Sequence, residues 1–313
     1  MNICAMIRFM SDDFFANMKK TKDYLVCIDS DGCLLDNMEL KHKECFCPAT
    51  VNIWNLQSVS KYARECAEFV NLYSRTRGTN RFPAVVRTLE LLYERPEVKE
   101  RGLVMPDLTP LKDWIETTPV LGAVALEQYS RSHEGLSPVL MQAARWSREV
   151  DANIAHIVRN ISPFPFVRQA IMKLREFADV MVVSATPSEA LERELNACDL
   201  AHLMTCIAGQ DLGTKSQLIH KAMEGRYKPD HVLKIGDAPG DFKAARDNGV
   251  LFNPIVAGKE RESWKNILEV SADKFRVGSF SGEYQQKLIE DFFANLKETP
   301  PWKEKTLEKV CNV

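Results

Sequence analysis

The chain has 313 residues, 45% apolar and 27% charged, which excludes a disordered or low-complexity polypeptide. Lys and Arg total 41 against 43 for Asp and Glu, and the net charge of −2 argues against a whole-chain electrostatic grip on nucleic acid or an anionic membrane. No apolar run approaches the roughly 20 residues of a membrane-spanning helix. Met1–Met10 lacks the length of a signal core and a small-residue cleavage site. Nine cysteines with no Cys-x-x-Cys pair read as reduced thiols of a cytoplasmic protein.

In chain order, Leu25-Val26-Cys27-Ile28 is a short apolar run ending in acids, the pattern of a buried parallel strand. Strand patterns then vanish from Asp36 to about Ile161. Tyr62, Cys66, Phe69, Val70 and Tyr73 mark one amphipathic helix, and Val139, Ala143, Trp146, Val150, Ile154 and Ile157 another. Ser162-Pro163-Phe164-Pro165 reads as the return linker, because each proline biases its predecessor away from helix. Phe166 to Phe177 is helical by spacing, as is Leu218 to Met223, which Gly225 closes. Strands are expected at Val180–Val183, Leu203–Ile207, Val232–Ile235 and Val250–Val256. The expected fold is α/β, a doubly wound parallel sheet core formed by 1–37 and 161–313, interrupted by a mostly α-helical domain over 38–160.

Chemistry-bearing residues fall at the expected strand ends, where open α/β sheets bind ligands. Asp29-Ser30-Asp31-Gly32-Cys33 follows the first strand, and taken alone it reads equally well as a turn. Ser184-Ala185-Thr186-Pro187 follows the next, with Pro187 suited to the first helical position and backbone N–H groups left for an anion; a plain helix cap is the bland alternative. Lys215 opens a helix, where it opposes the helix dipole unless acids or a phosphate pair with it. The P-loop-like run Gly209–Ser216 has the wrong spacing for a nucleotide cradle. Gly236-Asp237-Ala238-Pro239-Gly240-Asp241 follows a fourth strand; a helix N-cap accounts for Asp241 and leaves Asp237 unexplained. Carboxylates converging on one crevice repel by about 4 kcal/mol per pair at roughly 4 Å and an effective dielectric of about 20, so they require a cation. All-oxygen ligation favours Mg²⁺.

Together these ordered motifs resemble the haloacid dehalogenase-like superfamily, over Tyr24–Leu35 and about Phe166–Val256. The resemblance implies a Rossmann-like core with an inserted cap between the first and second motifs. It implies Asp29 as the nucleophile that becomes an aspartyl-phosphate and Asp31 as general acid/base. Ser184 and Ala185 would hold phosphoryl oxygens, with Lys215 pairing with nucleophile and phosphate. The metal set would be Asp29, Asp31 through its backbone carbonyl, Asp237, and Asp241 binding or orienting close by. Cys33 stands where the family usually has Thr or Val, and the insertion exceeds the usual small helical cap. An acid at Asp31 separates the chain from the dehalogenases and phosphonatases of the family.

The expected function is a Mg²⁺-dependent phosphatase acting on a small phosphorylated metabolite, as a monomer or homodimer, with no nucleic acid or membrane partner. A phosphomutase using the same residues and a non-catalytic binding protein on the same fold are the rivals. Ser74–Arg81 concentrates guanidinium groups, and Arg75, Arg77 and Arg81 are candidate clamps for a second anionic group, against a solvated basic loop. Lys41 and His42 are weaker candidates.

Overall fold

The computed structural model describes residues 13–118, 120–132 and 138–303. β1 (Tyr24–Ile28) is followed by a helical excursion: α1 (Cys47–Ile53), α2 (Ser60–Glu68), α3 (Arg81–Glu94), α4 (Thr109–Thr117), α5 (Ala123–Ser132) and α6 (Pro138–Ile157). The chain then alternates: α7 (Val167–Arg175), β2 (Ala178–Val183), α8 (Ser188–Ala197), β3 (Cys206–Ala208), α9 (Lys215–Met223), β4 (Val232–Gly236), α10 (Pro239–Asp247) and β5 (Leu251–Pro254). α11 (Glu260–Asn266), α12 (Ala272–Arg276) and α13 (Glu283–Asn295) complete the named elements.

The five strands are all parallel, in the order β3-β2-β1-β4-β5. The chain builds outward from β1 to β3, then crosses back to lay β4 on the other side of β1. Strand order therefore reverses beside the carboxyl ends of β1 and β4, the place where such sheets bind ligands. Both sheet faces are covered, which is why these strands read as continuous apolar runs. Val26 and Ile28 pack with α7, α8 and α12, while Leu25 and Cys27 pack on the opposite face with α9, α10 and α13.

Two compact units result: Met1–Met38 with Asn160–Leu296, and Glu39–Arg159 with the segment from Lys297. The helical unit has its own apolar core, including Phe82, Trp114 and Trp146. Against the expectation that 161–313 all belong with the sheet, the chain from Lys297 groups with the helices. Lys297 N donates to Tyr73 O at 3.0 Å, and Trp302 lies 4.6 Å from the Arg95 guanidinium. Arg95 is buried, pairs with Glu65 at 2.6 Å, and stacks on Tyr62 from 4.5 Å.

Two strand expectations are shortened. Ala201–Leu203 forms a 3-10 turn and β3 starts only at Cys206, because Leu203 is drawn into the core beside Leu200 while pairing begins with Thr205 N on Val180 O at 2.6 Å. β5 ends at Pro254, with Ile255 N making one further bond to Gly236 O of β4 at 2.8 Å.

Asp179 is a buried acid at the amino end of β2. Its carboxylate accepts from Thr21 N (2.8 Å), Thr21 Oγ1 (2.5 Å), Lys22 N (2.9 Å) and Tyr227 OH (2.7 Å). Burial alone raises its pKa, but the donors of Thr21, Tyr227 and Lys22 outweigh burial and hold it below the usual value. A depressed folded pKa contributes stability above the unfolded value of about 3.9, lost as pH falls below it. Asp179→Ala is expected to lower unfolding free energy by about 3–5 kcal/mol in urea titrations, since the donors lose a buried charged acceptor. Its acid-side stability profile below pH about 4 is expected to be flatter than wild type.

Candidate active site

Asp29 N donates to Ile235 O at 3.0 Å, carrying the β1–β4 ladder one residue past the strand, so Asp29 and Asp237 emerge from adjacent strand ends. The chain then turns sharply: the N–H groups of Cys33, Leu34 and Leu35 converge on Ser30 O at 3.3, 2.9 and 3.0 Å. Gly32 takes the left-handed conformation this turn needs, with φ of 70°. Trp264 Nε1 donates to Cys33 O at 2.8 Å and pins the loop to the core; the Cys33 side chain itself is fully buried.

The turn carries Asp31. Asp31 Oδ1 accepts from Asn37 Nδ2 at 2.6 Å and Oδ2 from Thr186 Oγ1 at 3.2 Å. Asn37 and Thr186 thus both donate to its carboxylate, and the acidic cluster found among the described residues, set out below, is formed by other carboxylates. Ser184 Oγ lies 2.7 Å from Ser30 Oγ and accepts from Thr186 N at 3.1 Å. Ala185 is exposed in the bend that follows. Pro187 is the N-cap of α8 rather than its first residue: its ψ of 143° is extended, and the helix starts at Ser188.

α9 delivers Lys215. Thr214 caps the helix, accepting from Gln217 N while the Gln217 side chain accepts from Thr214 N, which fixes Lys215 in the first turn. Lys215 Nζ is 2.7 Å from Asp29 Oδ2 and 2.8 Å from Asp241 Oδ1. Asp241 is not the N-cap of α10 but its third residue, reaching back so that Oδ2 accepts from Ala238 N at 3.2 Å. Gly236 makes room for this: a Cβ there would lie 2.3 Å from Asp241 Cγ.

Carboxylate oxygens of Asp29, Asp237 and Asp241 lie within 4.8 Å of one another, and all three residues are buried. Three oxygen donors at that spacing fit a hard divalent cation. The charges are partly offset from within the chain, by Lys215 and by Lys234, whose Nζ is 2.9 Å from Asp241 Oδ1. Burial, and then the Asp241 charge, push the Asp29 carboxyl up to about 7 against the pull of Lys215 and Lys234. Asp241 moves the other way: burial raises it, but Lys215 and Lys234 outweigh burial and hold it below its usual value. Lys215 loses by burial and gains more from Asp241 and Asp29, so it stays protonated.

The arginine candidates are all engaged within the helical unit. Arg75 pairs with Glu298 at 3.1 Å, Arg77 is buried and donates to Leu72 O at 3.0 Å, and Arg81 pairs with Asp151 at 2.7 Å and donates to Ser147 Oγ at 3.1 Å. Lys41 is buried in the same unit, and the His42 ring stacks obliquely on Phe46 at 4.5 Å. Sequence reasoning missed Lys234, Asn37 and Thr186. Lys234 carried a signal, a charge inside an apolar strand; Asn37 carried none.

Residues 122–253 match the family profile described as haloacid dehalogenase-like hydrolase. That stretch holds Ser184, Lys215, Asp237 and Asp241; β1, paired between β2 and β4, brings Asp29 to them. Over that stretch the chain is similar to haloacid dehalogenase-like hydrolases. Solved structures similar to it include a haloacid dehalogenase-like family hydrolase from Streptococcus pneumoniae (15% identity, 79% of this chain and 92% of that one, TM-score 0.43). CbbY from Rhodobacter sphaeroides in complex with phosphate gives 14% identity over 75% of this chain and 86% of that one, with a TM-score of 0.39. A protein assigned as a phosphoglycolate phosphatase from Lactobacillus delbrueckii gives 14% identity over 83% and 99%, with a TM-score of 0.46. No curated protein matches the chain by sequence. Among the described residues no helix is long and apolar enough to cross a membrane.

The raised carboxyl of Asp29 gives the site a pH signature. A folded-state pKa near 7, above the unfolded value of about 3.9, contributes stability that is complete at low pH and lost as pH rises through 7. In chelator, wild-type stability is expected to fall between pH about 4 and 7, and Asp29→Asn to flatten that slope in denaturant titrations. Gly236→Ala is expected to lower the melting temperature by several degrees, about 2 kcal/mol or more, because Asp241 cannot keep its place.

Proposed function

We propose that the chain is a phosphoric monoester hydrolase that uses Mg²⁺ and a phosphorylated Asp29 to dephosphorylate a small metabolite. The observation that carries this reading is the pairing of Asp29 with Lys215 at 2.7 Å, in a turn that also holds a second acid, Asp31, whose carboxylate accepts from Asn37 and Thr186. Two carboxylates of one turn thus have different environments and different work.

Lys215 orients one oxygen of Asp29 and offers positive charge to a phosphoryl group. Ser184 and the bend through Ala185 supply further donors. A divalent cation held by Asp29, Asp237 and the Asp31 carbonyl would supply neutralisation of phosphate charge. Asp29 attacks phosphorus, the bond to the substrate alcohol breaks, and Asp31 gives that alcohol its proton. Asp31 then takes a proton from the water that attacks phosphorus, releasing phosphate and restoring the Asp29 carboxylate. Asn37 and Thr186 keep Asp31 directed for both proton transfers.

Of the arginine candidates, Arg75 and Arg81 are the proposed contacts for a second anionic group on the substrate, Arg75 being the more exposed with 48% of its side chain accessible, whereas Arg77 is buried on Leu72 O. The seven described cysteines are free thiols, which supports a cytoplasmic location.

Phosphate release from an aryl phosphate and a panel of phosphorylated metabolites tests the reading. Wild type is expected to turn over at least one of them, chelator to abolish release, and Asp29→Asn to lower it by about 10³-fold or more. Asn37→Ala is expected to lower kcat by about tenfold with little change in KM. A folded wild type inert towards every phosphoester with Mg²⁺ would contradict the proposal.

A further inference from the structure

Lys234 is fully buried in β4, one of the two strands flanking the switch point, and its neighbours Val232, Leu233 and Ile235 are apolar and equally buried. A lysine in such a place carries a large desolvation cost unless its charge is used. Packing does not require it, since the other core positions of β4 are filled by aliphatic side chains. Nor does Asp241 require it: Oδ1 already accepts from Lys215 at 2.8 Å and Oδ2 from Ala238 N at 3.2 Å. Yet Lys234 Nζ sits 2.9 Å from that same Oδ1, and it also reaches Val183 O at 3.4 Å, on the strand leading to Ser184.

We propose that Lys234 is a charge-balancing positioning residue of the phosphate site, a resident cation that sets how much further positive charge the acidic cluster takes up and how much negative charge it tolerates. The proposal rests on the phosphatase reading above. Against Asp29, Asp237 and Asp241, Lys215 alone leaves two net negative charges, and Lys234 reduces this to one. With Lys234 present the cluster attracts a divalent cation less strongly but accepts a phosphate dianion more readily once the cation is bound. A neutral residue at 234 therefore shifts the two affinities in opposite directions. A lysine with only a structural role gives no such pairing, because loss of shape weakens both.

The test is titration calorimetry of wild type, Lys234→Met and Lys234→Gln, with Mg²⁺ alone and then with inorganic phosphate at saturating Mg²⁺. It is run well above pH 7, where Asp29 is ionised without metal. Expected is Mg²⁺ binding tighter by about tenfold and phosphate binding weaker by about tenfold in both variants. Parallel weakening of both, or no change in either, overturns the proposal. Should the variants be unstable without metal, their melting temperatures are expected to recover at saturating Mg²⁺; variants unfolded at every Mg²⁺ concentration assign Lys234 to folding and overturn it. Wild type that binds neither Mg²⁺ nor phosphate removes the phosphatase reading itself and the proposal with it.

Discussion

Three buried carboxylates held within 4.8 Å of one another are the constraint on which this molecule turns. Like charges at that distance repel by about 4 kcal/mol per pair even at an effective dielectric of about 20, and a protein interior does little to screen them. The chain answers with two lysines from different elements, Lys215 at the start of α9 and Lys234 within β4, both on Asp241 Oδ1. The residual negative charge and the all-oxygen donor set suit a hard cation, and the proposed function sets a phosphoryl group beside it.

The fold makes that concentration of charge possible. Parallel strands buried on both faces bring their carboxyl ends to one edge, and reversal of strand order beside β1 separates the connections that leave it. Each functional side chain is set by a local device. A tight turn on Ser30 O follows Asp29 and carries Asp31, a capping box fixes Lys215, and a glycine at 236 lets Asp241 fold back on Ala238 N. Asp29 is desolvated among charges, while the Asp31 carboxylate accepts from Asn37 and Thr186.

Much of this was legible in the sequence because it depends on short-range pattern. Apolar runs ending in Asp or Ser located β1, β2 and β4, and helical spacing located α6, α7 and α9. What escaped depends on tertiary context. Leu203 looks like strand residues around it, yet packing draws it into a turn. The tail from Lys297 has no periodicity that would assign it to either unit, and it is settled by Trp302 beside Arg95. Asn37 carries no motif; only folding brings its amide to Asp31. Lys234 was readable in principle, since a charge in the middle of Val232–Ile235 needs a buried partner, and Asp241 is that partner.

The central claim is that Asp29 takes the phosphoryl group, and capture of that species tests it most directly. Protein mixed with a substrate that it turns over, quenched in acid within one turnover and digested for mass spectrometry, is predicted to show one phosphoryl group on the peptide containing Asp29. The label is predicted to be absent from Asp29→Asn and to decay as phosphate appears. Turnover with no phosphorylated peptide, or with the label on another residue, would contradict the account.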